Sequence, residues 1–267
     1  LQITILRELL TVFSGNELDI GITLSLWLIS VGAGSFTGSK INPKLKLRSA
    51  FALSFVAVAF LSVPTLLCIK LIRPMLGVEY GEVVSLSATF ISTLLVIFPL
   101  CFCLGLQFPL AVSYMGGKSP AGKVYGLEAI GAFAGGVVFT FLLSGRVETS
   151  SIVLPLCVLS ILLSAYIVGR KAVIAALVIP FLFYFIFKGT GPAIWKSSEA
   201  GGLVKSVQSR YGEIWVTKLK GQFNVYSAGQ FLFSYPNVQA EELKAHLTIS
   251  AIRRLKTFSS SEALRAS

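Results

Sequence analysis

Arg7, Glu8 and Glu128 are charged residues set within runs of apolar ones. A bare charge is costly in hydrocarbon, so such residues pair with each other or line a path for protons or solutes. Two readings follow. Arg7 and Glu128 form a structural ion pair, or Glu128 is a proton- or solute-binding carboxylate of the kind transporters use. Gln107 adds a neutral amide within another apolar run. Other chemistries have weaker footing. The single His246 excludes a multi-histidine metal site. Cys68, Cys101, Cys103 and Cys157 all fall in apolar runs without metal spacing, and Cys101 and Cys103 point about 200° apart on a helix. They read as small apolar fillers. The chain contains no nucleophile elbow, Walker loop or Gly-rich dinucleotide turn, so residue types alone designate no catalytic group and no metal ligands.

The elements that hold these residues follow from composition. Hydrophobic residues make up 54% of the 267 and charged ones 13%, about half the charged share of a soluble domain, and the mean hydropathy is +0.79. The imbalance lies almost wholly before Gly189. Residues 1–188 read as a helical membrane domain, because about 20 apolar residues suffice to cross hydrocarbon. Seven spans are expected: 1–13, 20–41, 49–72, 83–114, 122–144, 151–168 and 172–187. The fourth is long, with Pro99 and Pro109 inside it, which predicts a kink or tilt. The seventh is the weakest, being short with Pro180 near its middle. The chain opens at Leu1 within an apolar stretch and reads as a fragment.

Loop charges orient the spans. Lys40, Lys44, Lys46, Arg48, Lys118, Lys123, Arg170 and Lys171 follow the even-numbered spans, while Glu17, Asp19, Glu79, Glu82 and Glu148 accompany the odd exits. The positive-inside rule puts the even exits in the cytoplasm and the protein in the cell membrane as a multi-pass chain, with the lipid bilayer as its first partner. The same rule accounts for the net charge of +11 without nucleic acid. A crossing seventh span would carry the tail outside, and a re-entrant one would leave it inside.

Gly32, Gly34 and Gly38 in one span, and Gly131, Gly135 and Gly136 in another, place small residues four apart. That spacing lets helix backbones approach closely, within the chain or in a homodimer. A glycine-lined solute path is the other reading.

After a linker over 189–202 the pattern changes. Residues 204–208, 213–219, 222–227 and 230–234 alternate and are rich in β-formers, with turn signals at Lys220-Gly221 and Ala228-Gly229. They predict an antiparallel meander over 203–236. A helix is expected over 237–257, with Leu243 and Leu247 on one face, Glu241 and Glu242 early, and Arg253, Arg254 and Lys256 late. Residues 258–267 read as a frayed end. So small a meander must pack on something else.

The segments from Gln208 through Tyr211 to Lys218, Gly221 to Tyr226, Gly229 to Pro236 and Ala240 to Leu247 resemble the N-terminal β-domain of spermidine synthases. They are most similar to the branch of that family carrying a multi-span membrane domain in front. Leu6-Arg-Glu-Leu9, Gly15-Asn-Glu-Leu18, Gly32-Ala-Gly34 with Gly38, and Tyr125 to Gly131 with Gly135-Gly136 resemble that branch's membrane motifs. The resemblance implies polyamine biosynthesis by transfer of an aminopropyl group from decarboxylated S-adenosylmethionine to an amine such as putrescine. It further implies a Rossmann catalytic domain beyond the β-domain, which this chain does not reach, so residues 1–267 alone are expected to be inactive and to hold no cofactor. Tyr211 matches a family tyrosine and is, with Glu128, a candidate substrate-binding residue. Gly212 and Leu232 stand at or near positions where the family has glutamine.

Overall fold

The computed structural model describes residues 1–13, 15–41, 47–78, 82–147, 149–169, 178, 180–182, 185, 202–209, 212–227, 229–237 and 242–250. Apolar runs become helices because, without water, a backbone must satisfy its own hydrogen bonds. They are α1 (Gln2–Val12), α2 (Glu17–Ser39), α3 (Leu47–Leu76), α4 (Leu86–Met115), α5 (Pro120–Val138) and α6 (Thr149–Val168), with α5 widening into a π-helical turn at Phe139–Leu143. Local signals set the starts. The Asn16 side chain accepts the Asp19 backbone N–H at 2.8 Å ahead of α2, Ser85 caps α4, and Pro120 takes the first position of α5, where its missing N–H costs nothing.

Five helices are long and apolar enough to cross a membrane, namely α2, α3, α4, α5 with its π turn, and the 151–168 part of α6. This corrects the expected count of seven. The first expected span is the 11-residue α1, about 16 Å long, roughly half the hydrocarbon thickness. The seventh, 172–187, falls mostly outside the described residues, of which 178, 180–182 and 185 are helical. Helices α3 and α4, at 30 residues each, reach about 45 Å and so exceed the hydrocarbon or tilt within it.

The bundle core joins α1 (Ile5, Leu9), α2 (Leu26), α3 (Ile69), α4 (Ile97, Leu100) and α6 (Ile161), all buried. Side-chain hydroxyls add cross-helix bonds where apolar contact alone distinguishes poorly between lipid and protein. Ser164 Oγ of α6 donates to the Ala52 carbonyl of α3 at 2.8 Å. Helix α5 is the exception: none of its most apolar window is buried.

The soluble part is a four-stranded antiparallel meander in the order β1 (Gly202–Gln208), β2 (Glu213–Leu219), β3 (Gln222–Ser227), β4 (Gln230–Tyr235). Between β2 and β3, Lys220 and Gly221 take φ values of 48° and 88°, the left-handed pair a tight hairpin turn requires. Trp215 lies opposite Tyr226 in that hairpin, and with Thr217 they form a buried stripe. The edge strand β4 leaves Phe231, Leu232, Phe233 and Tyr235 exposed. The helix expected over 237–257 is described at 242–250, with Leu243, Leu247 and Ile249 exposed rather than packed. The linker at 189–201 and the stretch 258–267 lie outside the described residues.

Candidate functional site

The bundle is tightest where α2 crosses α4. A Cβ on Gly34 would stand 2.1 Å from the Phe102 carbonyl oxygen, and one on Gly105 2.1 Å from that of Val31. At Gly38 it would meet the Pro109 ring at 2.6 Å. Such distances leave room for hydrogen alone, so backbone lies on backbone. Gly34 faces Phe102 and Gly105 while Gly38 faces Leu106 and Pro109; the helices therefore run in the same direction. Each presents a buried stripe to the bundle, Asp19, Thr23, Leu26, Ser30, Gly34 and Gly38 on α2, and Thr89, Thr93, Ile97, Cys101 and Gly105 on α4. Moving up both stripes from the Gly34–Gly105 contact, Ser30 comes level with Cys101, Leu26 with Ile97, Thr23 with Thr93 and Asp19 with Thr89.

The upper end of this seam is polar. Asp19, Thr23, Thr89 and Thr93 are 3%, 2%, 1% and 0% exposed. Asp19 Oδ2 and the three threonine hydroxyls have no hydrogen-bond partner. Buried polar atoms are ordinarily satisfied, and each orphan costs about 1–3 kcal/mol. Elsewhere the hydroxyls of α2 and α4 are satisfied locally, Ser30 Oγ donating to Leu26 O at 2.7 Å and Ser92 Oγ to Ala88 O at 2.5 Å. Four orphans on facing turns therefore define a place in the seam.

The same end of the bundle holds Arg73, the largest fully buried side chain. It donates to the Val12 carbonyl at the end of α1 and to the Glu82 carbonyl before α4 at 3.1 Å. It thus fastens the α3 terminus to two loops through charge-assisted bonds. Glu8 is buried on α1, and Arg7 donates to the Ser209 carbonyl beside β1, joining bundle to sheet. At the opposite end Arg48 Nε donates to the Ile167 carbonyl in the last turn of α6, where a cation complements the helix dipole.

The residues singled out in the sequence fall unevenly across this picture. Glu128 is exposed on α5 and makes no ion pair or hydrogen bond among the described residues, so the Arg7–Glu128 pair does not form. Gln107 is half-buried on α4 and His246 exposed on the helix at 242–250. Tyr211 lies outside the described residues. Gly34 and Gly38 make close contacts, whereas a Cβ on Gly32, Gly131, Gly135 or Gly136 would meet nothing within 4 Å; the close packing expected at those four is not made within this chain. Among the described residues no group of three or more His, Cys, Asp or Glu could hold a metal ion. Sequence reasoning passed over Arg73, Gly105 and the orphaned quartet. Its usable signal is the spacing: Asp19 with Thr23, and Thr89 with Thr93, are pairs four apart on apolar helices.

The chain matches no protein-family model, no curated protein and no solved structure.

Proposed function

We propose that this chain is the membrane domain and N-terminal β-module of a spermidine-synthase-like aminopropyltransferase held at the cell membrane. The observation that carries the reading is the order of parts: apolar helices able to cross a bilayer, then a four-stranded antiparallel meander built from the segments that resemble that family's β-domain. The Arg7 bond to the Ser209 carbonyl supports it by tying the module to the bundle. In this reading the helices anchor the enzyme, decarboxylated S-adenosylmethionine and the amine bind chiefly in a Rossmann domain, and no catalytic residue is assigned within 1–267. Membranes carrying the complete gene product should transfer labelled aminopropyl groups from decarboxylated S-adenosylmethionine to an amine in a panel that includes putrescine. Transfer to none of the panel, with the protein present and folded, sinks the reading. Micromolar binding of the nucleoside by residues 1–267 alone would refute the placement of the site.

A second reading, a solute-passing membrane module, is favoured by one observation: polar side chains are concentrated and buried in the seam between α2 and α4.

A further inference from the structure

We infer that Asp19, Thr23, Thr89 and Thr93 form a binding site for a small monovalent cation, of which Na⁺ is the probe, in the α2–α4 seam. The inference stands independently of the aminopropyltransferase reading.

The argument starts from what the four side chains can offer. A carboxylate oxygen only accepts, and a threonine hydroxyl carries two acceptor lone pairs. Hard cations select oxygen donors of this kind. All four residues are more than nine-tenths buried, and the atom named on each lacks a partner. The stripes set Asp19 level with Thr89 and Thr23 level with Thr93, one turn further in, so four oxygens from two parallel helices line one short stretch of the seam.

Charge decides the valence. Asp19 is the one carboxylate of the set, and it sits in the first turn of α2, where the positive end of the helix dipole keeps it ionised. No basic side chain lies at ion-pair distance from it among the described residues. Arg73, the buried cation at this end, is engaged by the Val12 and Glu82 carbonyls. An uncompensated buried charge is costly, and a single positive charge removes the cost where a double one would reverse it. The threonines supply neutral oxygens without further charge.

Direct binding tests the site first. The purified full chain in detergent should bind ²²Na⁺ saturably, about one per chain, against excess choline. Its melting temperature should rise with the logarithm of Na⁺ concentration at constant ionic strength, as a ligand of the native state demands. Asp19→Asn and Thr93→Val, each close to isosteric, should weaken Na⁺ binding at least about tenfold, the scale seen when support for a metal site is removed. Both variants should melt like the parent in choline. The inference is overturned if the parent binds no ²²Na⁺, if choline or K⁺ stabilises it equally, if Ca²⁺ alone does, or if both variants bind Na⁺ as the parent does. Should either substitution prevent folding, the parent's stoichiometry and Thr23→Val decide the matter by the same criteria.

Discussion

In α2, Gly34 and Gly38 press against the backbone and prolines of α4; in α5, Gly131, Gly135 and Gly136 face open space. Both helices carry small residues four apart, and both are apolar enough to cross a bilayer. What separates them is the partner. Opposite Gly34 stands Gly105, whose own missing Cβ lets the Val31 carbonyl approach. Opposite the α5 glycines this chain places nothing. Glycine spacing therefore states that a helix can be approached closely, and a matching small residue on a second helix determines whether it is.

The sharpest way to break this contrast is at the crossing. Gly105→Val should destabilise the bundle by at least about 3 kcal/mol, since overpacking against a carbonyl leaves no rotamer that relieves it. Thermal melting in detergent would read the loss, and an unchanged midpoint would show that the helices are not in contact. Next in size is Arg73→Met, which removes charge-assisted bonds to Val12 and Glu82 while keeping apolar volume. A loss of about 2 kcal/mol is expected, the scale of buried bonds to a charged group. Gly131→Ala should act in the opposite direction, stabilising the isolated chain by up to about 1 kcal/mol through helix propensity alone. A destabilised Gly131→Ala, or one that loses an oligomer on crosslinking, would mean that α5 has a partner. The smallest effect is expected at Ser164→Ala, where loss of the hydroxyl bond to the Ala52 carbonyl should cost about 0.6 kcal/mol, the average for such bonds between membrane helices.

Much of the architecture was legible in the residues. The five long helices lie where apolar runs of sufficient length predict them, and every expected strand is present within two residues of its predicted ends. Turn chemistry explains the second success, because Lys220-Gly221 and Gly229 occupy the left-handed backbone that hairpins need. The first expected span failed because a run of apolar residues does not reveal how many of them a helix will use. The site was harder to read than the fold. Glu128 drew attention as a carboxylate in an apolar run, yet burial fell to Asp19, Glu8 and Arg73. Near helix ends, a charged residue looks like an ordinary loop neighbour, and only the packing of a second helix removes it from water. Thr89 and Thr93 were silent for a related reason: threonine is common in apolar helices, where its hydroxyl usually bonds to the preceding turn, and sequence does not disclose when it fails to.

The π-helical turn at Phe139–Leu143 bears on how this region tolerates length changes. Such a turn accommodates one residue more than the regular coil around it, which is the trace a single insertion leaves in an otherwise continuous rod. Removing one residue there would restore ordinary winding and rotate everything downstream, Arg146 included, by about 100° about the axis. The wide turn is thus a natural dial for the direction in which the chain leaves α5 on its way to α6.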